Sequence, residues 1–205
     1  MSFSALETWN QTAFLAMNAG LRPSPLAVSI AKVLATGAVY LVMAALVLGW
    51  VRRGKRLRYA LLDATLAALF SLAIAVGITL IWYHPRPFEI GLGRQMIPHV
   101  TDASFPSDHG TLLFALAISL MVSAQWLWSI GFLALALSVA WGRIYLGVHF
   151  PLDMVGAMLV AAVGNALVHL GKPLLHSRLY PIMNAVYEGL LRQLRLPKRM
   201  FPRDL

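Results

Sequence analysis

Apolar residues arrive in long blocks along this chain, and polar residues gather between the blocks rather than alternating with them. A helix that crosses a bilayer needs about 20 mostly apolar residues. The blocks that meet this length run from Leu26 to Trp50, Tyr59 to Tyr83, Ser107 to about Gln125, Trp126 to Tyr145 and Pro151 to Leu170. Lys32 lies near enough to the start of the first block to snorkel, and Asp63 lies near the start of the second. The third and fourth blocks are almost continuous, so "SAQW" is expected to form a tight hairpin. Ahead of the first block, Leu6, Trp9, Phe14 and Met17 fall roughly on one helical face, which predicts a helix lying in the membrane interface. A frayed terminus fits that periodicity equally well. The segment has no basic stretch leading into a long apolar core, so it is not expected to be a cleavable signal peptide. Behind the last block, "LYPIMNAVYEGLLRQLRL" is amphipathic and basic and is expected to rest on the inner leaflet.

The pattern therefore predicts an all-α integral membrane helical bundle of about five transmembrane helices, with interfacial helices at both ends. It reads as one domain over 1–205, divided into an interfacial segment 1–25, a transmembrane core 26–170 and a basic tail 171–205. Composition supports the class. Of 205 residues 59% are hydrophobic and 12% charged, more apolar surface than a soluble domain of this size can cover. The absence of cysteine excludes a disulfide framework and a thiolate metal site. The net charge of +9 admits a nucleic-acid partner on its own. In a chain this apolar it reads better as charge flanking the membrane, and no nucleic-acid partner is expected.

Charge also predicts orientation. The link "VRRGKRLR" between the first two blocks carries Arg52, Arg53, Lys55, Arg56 and Arg58, and by the positive-inside rule it is cytoplasmic. The N-terminus, the 84–106 connection and the "GVHF" corner then face outward, and the hairpin near 124 and the tail face inward. The tail is an independent check, with Lys172, Arg178, Arg192, Arg195, Lys198, Arg199 and Arg203 against Glu188 and Asp204. These inner cations read as topology signals rather than as a ligand site.

The polar residues that remain collect at the outer face. The connection and the start of the third block hold His84, Arg86, Glu89, Arg94, His99, Asp102, Ser104, Ser107, Asp108 and His109; the corner between the fourth and fifth blocks holds Arg143, Tyr145, His149 and Asp153. Ionisable groups at a bilayer edge are costly unless paired or functional. Arginine forks match phosphate oxygens, and a helix N-terminus presents free N–H groups and a positive dipole end. "FPSDHG" has the form of such a terminus, with Ser107 as N-cap and Asp108 in the first turn. Gly110 leaves space beside His109, an imidazole placed to exchange protons with a bound anion. His149 and Asp153 are four residues apart, a spacing that brings a carboxylate onto an imidazole N–H and leaves the other nitrogen free as a nucleophile. Each piece also has a plainer reading. Arg143 and Asp153 would serve as a buried ion pair, His109 as an interfacial helix-cap residue, and Ser107 as an N-cap alone. His84, His99, His169 and His176 are assigned structural roles. A metal site from His84, His99 and Asp102 lacks a recognised ligand spacing, and no metal or cofactor is expected.

Together these residues resemble the type 2 phosphatidic acid phosphatase superfamily of membrane lipid phosphatases, whose motifs are K-x6-R-P, P-S-G-H and S-R-x5-H-x3-D. "PRPF" supplies Arg86 and Pro87, "PSDH" supplies Pro106 to His109, and "GRIYLGVHFPLD" supplies Arg143, His149 and Asp153. The resemblance implies that His149 is the nucleophile forming a phosphohistidine and that Asp153 orients it. His109 would protonate the leaving oxygen and later activate water. Arg86, Arg143, Ser107 and the backbone N–H groups from Asp108 to Gly110 would hold the phosphate. The family needs no metal. The chain departs from the pattern at three positions: Thr79 stands where the family has lysine, Asp108 where it has glycine, and Gly142 where it has serine. Arg94 is a candidate to supply the missing clamp. "SFPSDHG" with "RIYLGVHFPLDM" looks most like the bacterial undecaprenyl-diphosphate phosphatases of the bacitracin-resistance type. That implies a multi-pass protein of the bacterial inner membrane acting on a prenyl diphosphate lipid at the periplasmic face, in carrier recycling for peptidoglycan synthesis. Other members of the superfamily act on phosphatidylglycerophosphate or lipid A, or transfer phosphate to lipid A. A non-catalytic membrane scaffold or lipid transporter with a retained fold is the reading from another class.

Overall fold

The computed structural model describes residues 3–52 and 54–194. Among these it is all-helical, with α1 (Phe3–Met17), α2 (Pro25–Arg52), α3 (Lys55–Ile81), α4 (Asp108–Val122), α5 (Trp126–Tyr145) and α6 (Pro151–Gln193), and one 3-10 turn at Pro87–Ile90. α2, α3, α5 and α6 are long and apolar enough to cross a membrane, and the chain is a multi-pass membrane protein. The expected hairpin forms between Val122 and Trp126, with Ala124 in the left-handed region at φ 54°.

α4 differs from the expected third span. It has 15 residues, roughly 22 Å of helix, against a bilayer core of about 30 Å. It lies at the centre of the bundle, packed against α3, α5 and α6, with Leu113, Ala115, Leu116 and Leu120 buried. A helix shielded on all sides by other helices need not match the lipid thickness itself. Close approach between α3 and α6 depends on small residues, as in other membrane bundles. A Cβ built on Gly164 would lie 2.1 Å from Ser71 Oγ and 3.1 Å from the Ala67 carbonyl oxygen. Gly164→Val is therefore expected to destabilise the bundle by about 2 kcal/mol or more, read as a lowered melting temperature in detergent.

The tail also differs. α6 does not stop near Leu170 but continues for 43 residues in all, through Pro173 and Pro181. The extension is tied to the start of α3. Asp63, buried in α3, accepts from Lys172 Nζ at 2.9 Å and His176 Nε2 at 2.7 Å. Tyr180 stacks on Tyr59 with ring centroids 3.5 Å apart. The segment expected to lie on the inner leaflet is thus, as far as residue 194, a continuation of the last span. The remaining tail cations, Arg195, Lys198, Arg199 and Arg203, with Asp204, lie outside the described residues, as does Arg53 of the link.

At the other end, α1 packs against α5 and α6. The face marked by periodicity divides. Phe14 is buried and makes an edge contact with Phe150, ring centroids 5.3 Å apart, whereas Leu6, Trp9 and Met17 are exposed. The buried polar residue of this helix is Asn10, whose Oδ1 accepts from the Leu152 N–H at 3.0 Å in the first turn of α6. The 84–106 connection is fastened to the α5–α6 corner, where the Met96 N–H donates to the Leu146 carbonyl at 2.9 Å. Gly147 makes this possible. Its φ is +80°, and a Cβ there would sit 2.2 Å from the Arg94 carbonyl oxygen.

Candidate active site

The fastened connection and corner bring Arg86, Arg143, His149 and Asp153 together, all buried. Arg86 is placed by the turn it precedes. Pro87 opens the 3-10 turn, and Glu89 accepts from the Arg86 backbone N–H at 2.7 Å. The guanidinium then reaches across the connection. Its Nη1 donates to the Val148 carbonyl at 2.8 Å and lies 3.2 Å from His149 Nε2, while its Nε donates to Asp102 Oδ1 at 2.7 Å.

Asp153 sits in the first turn of α6, behind Pro151. Its Oδ2 accepts from the Phe150 N–H at 2.7 Å, which caps the helix, and from the Ser104 hydroxyl. The same oxygen is 3.1 Å from His149 Nδ1. A carboxylate at Nδ1 and a guanidinium N–H at Nε2 favour the tautomer with the proton on Nδ1 and the lone pair on Nε2. Burial pushes the His149 imidazole well below the ordinary histidine range, and the charges of Arg143 and Arg86, then His99 and His109, act in the same sense. The imidazole therefore stays neutral into acid. If it reacts through Nε2, the acid limb of the kcat/KM profile is expected to lie below the ordinary histidine range, a limb that pH–rate measurements on the purified protein would locate.

Ser107 caps α4, its buried hydroxyl accepting from the Gly110 N–H at 3.4 Å, and its own N–H donates to the Asp153 carbonyl at 3.3 Å. That bond joins the α4 terminus to the α6 terminus. The N–H groups of Asp108 and His109 are then first-turn donors with no intrahelical carbonyl to meet. His109 is half-buried and within electrostatic reach of Arg143, His99 and Arg86. Arg143, in the last turn of α5, donates from Nη1 to the Ala35 carbonyl at 3.4 Å and lies 3.1 Å from His99 Nε2 through Nη2. The arrangement thus gathers two buried cations, a helix N-terminus and an oriented imidazole around one point, which is the chemistry of an anion site with a nucleophile in it.

A family model described as the PAP2 superfamily matches residues 60–174, more than half of the chain. The chain belongs to the PAP2 superfamily. Among curated relatives of this PAP2 protein, the "Putative undecaprenyl-diphosphatase YbjG" of Escherichia coli (strain K12) is 34% identical over 160 residues, covering 78% of this chain and 80% of that one. The "Undecaprenyl-diphosphatase BcrC" of Bacillus subtilis (strain 168) is 30% identical over 146 residues, covering 71% and 74%. The solved structure of LpxE from Aquifex aeolicus shares the fold, with a TM-score of 0.65 at 22% identity over 78% of this chain and 94% of that one.

Two departures from the PAP2 motifs have local reasons. Asp108 is exposed and opens α4 with no left-handed backbone to demand glycine. Gly142 is where α5 meets the α2 backbone, and a Cβ there would be 3.1 Å from the Ala31 carbonyl oxygen. At the third departure, Thr79 is half-buried and its hydroxyl donates to the Val76 carbonyl of its own helix at 2.8 Å. Arg94 does not fill the place; it is exposed and its guanidinium donates to the Leu21 carbonyl at 3.1 Å.

Sequence reasoning placed Ser104 and His99 in the outer-face cluster but gave neither a part in the site that the structure brings them into. Ser104 bonds the dyad carboxylate from a loop 49 residues away. His99, assigned a structural role, lies with its ring centroid 6.4 Å from that of His149. Neither carries a periodic or spaced signal. The other histidines stand apart: His84 is 3.6 Å from Glu7, and His176 belongs to the Asp63 pair. Behind the dyad, an apolar crevice of about 250 Å³ between α1 and α6 is lined by Leu6, Trp82, Phe105, Val155 and Leu159, and reaches Asp153.

Proposed function

We propose that this PAP2 protein is an undecaprenyl-diphosphate phosphatase that works through a phosphohistidine at the periplasmic face of the bacterial inner membrane, with its C-terminus cytoplasmic. The observation that carries the chemistry is the placement of His149, with Asp153 at one ring nitrogen and Arg86 at the other. Nε2 attacks the terminal phosphorus, and the bond from that phosphorus to the bridging oxygen breaks. His109, which burial and then the charges of Arg143, His99 and Arg86 keep neutral in the empty site, takes up a proton as the anionic substrate arrives and gives it to the departing undecaprenyl phosphate. A water, deprotonated by His109, then attacks the phosphorus, the P–N bond breaks, and inorganic phosphate leaves with His149 restored. Arg86 and Arg143 neutralise the equatorial oxygens, and the Ser107 hydroxyl and the Asp108 and His109 N–H groups donate to them as charge redistributes in the transition state; the Gly110 N–H holds Ser107 in place. Asp153 keeps the attacking tautomer and steadies the ring as it gains positive character.

Support for the substrate comes from the names of two relatives matched over most of the chain, the "Putative undecaprenyl-diphosphatase YbjG" and the "Undecaprenyl-diphosphatase BcrC". Support for the outward-facing site comes from the basic link at the opposite end of the bundle, with Lys55, Arg56 and Arg58 at the start of α3. The deciding experiment offers the purified protein undecaprenyl diphosphate, phosphatidylglycerophosphate and a lipid A diphosphate in the same detergent and counts released phosphate. Undecaprenyl diphosphate is expected to have the highest kcat/KM. A higher value for either other lipid would transfer the assignment to that lipid, and no release from any would favour the scaffold or transporter reading.

A further inference from the structure

The missing lysine leaves a specific question: what supplies the third cationic clamp on the phosphoryl group? Thr79 is turned back onto α3, and Arg94 is committed to the link after α1. The side chain that stands beside Arg143 and His149 is His99. Its Nε2 is 3.1 Å from Arg143 Nη2, and its ring is set at 75° to that of His149. Its Nδ1 is 3.0 Å from the Val100 carbonyl and 3.8 Å from the Asp102 carboxylate, which itself holds Arg86. The loop that carries His99 is pinned just before it by the Met96 to Leu146 hydrogen bond.

We propose that His99 is the third phosphate clamp of this site, its Nε2 donating to the phosphoryl oxygen that a lysine contacts elsewhere in the family. The inference rests on the phosphatase reading above. In the free site Nδ1–H donates to Val100 and Nε2 accepts from Arg143. The groups that act electrostatically on His99 are Arg86 and Arg143, which oppose its protonation, and Asp102, which favours it; burial opposes it most strongly. An arriving phosphate oxygen takes the Arg143 N–H, and its negative charge favours the imidazolium. His99 then binds one proton at Nε2 and directs it at the oxyanion, with Asp102 and Val100 behind Nδ1. The physical advantage over lysine is conditional charge. An empty site with three permanent cations at close range would bear their mutual repulsion and desolvation. With histidine, the third charge appears only when the anion is present.

A plainer role, in which His99 merely props Arg143, makes opposite predictions for two substitutions. His99→Lys restores a cationic donor but cannot accept from Arg143, whereas His99→Asn can accept but carries no charge. The inhibition constant of vanadate, a mimic of the five-coordinate phosphoryl group, is measured against phosphate release from undecaprenyl diphosphate, with melting temperatures taken alongside. His99→Ala is expected to raise that constant about 10- to 100-fold, the loss of a charge-assisted hydrogen bond, with little change in melting temperature. His99→Lys is expected to recover most of the loss and His99→Asn little of it. An asparagine variant that inhibits like the wild type, a lysine variant no better than alanine, or an alanine variant with unchanged vanadate affinity would each overturn the proposal. Should the alanine variant fail to fold, the lysine and asparagine variants decide alone. His149→Ala is run in parallel: no release from the wild type refutes the phosphatase reading, release that survives the substitution refutes its phosphohistidine step, and a dead His149→Ala with no lysine rescue at 99 refutes only this one.

Discussion

Replacing His149 by alanine is expected to lower phosphate release by a factor on the order of 10⁴ or more, the scale on which hydrolases respond to loss of a nucleophile. The variant should still fold. His149 is buried, but its ring nitrogens meet Arg86, Asp153 and, at 3.5 Å, Ser104, and all three retain other partners: Val148, Asp102 and Ala103 for the arginine, Phe150 for the aspartate, and the aspartate for the serine. Steady-state release from undecaprenyl diphosphate and a melting curve on the same preparation check both parts. Residual release near the wild-type rate would remove His149 as the attacking group and with it the phosphohistidine. Trapping the intermediate is the positive form of the test. Brief exposure to substrate labelled in the terminal phosphate, quenched in alkali where phosphoramidates survive, should label the wild type and leave His149→Ala unlabelled.

Asp153→Asn is the second large effect, expected to cost on the order of 10³-fold or more in kcat. The amide keeps an oxygen that can still accept from the Phe150 N–H and from Ser104, so the helix start is largely preserved. That same oxygen faces His149, where it is an uncharged acceptor; only an amide turned the other way, at the expense of both cap bonds, puts its nitrogen against the ring and demands the lone pair on Nδ1. The proton then moves to Nε2, the nitrogen required for attack. Asp153→Ala should be worse in a different way, because it removes the cap and leaves the buried Phe150 N–H and the Ser104 hydroxyl without their acceptor. A loss of activity with an unchanged melting temperature for asparagine, beside a lowered melting temperature for alanine, would separate the two functions of this carboxylate. Equal loss of stability in both would reduce Asp153 to a helix cap.

Much of this architecture was legible because its signals are local. The helix from Trp126 to Tyr145 follows from one continuous apolar run, and the hairpin before it from the shortage of residues between two runs. The His149 and Asp153 pair follows from a spacing of one helical turn. What escaped sequence reading depends on contacts between distant residues. The α6 extension is held by Asp63 bonding to His176, 113 residues apart in the chain, so no window on the tail reveals that it continues the last span. α4 is short because its neighbours, not the lipid, surround it, and composition does not distinguish a helix buried in protein from one buried in hydrocarbon. Ser104 and His99 enter the site from an irregular connection with no period to mark them. The Arg143 to His99 contact in particular requires the corner at Gly147 to admit the connection's backbone.

α1 lies outside the stretch matched to the family, residues 60–174, yet Asn10 anchors the first turn of α6 and Phe14 backs Phe150, the neighbour of His149. Asn18, just past its end, accepts from the Arg94 N–H at 2.7 Å and donates to the Tyr145 carbonyl at 3.0 Å, clasping the connection to the corner. Chimeras that graft the motif-bearing portion of this chain onto another member's leading segment should thus come out well inserted but catalytically slack. Exchange partners would have to trade the first twenty or so residues together with the hinge they brace, and a purification handle belongs at the opposite end.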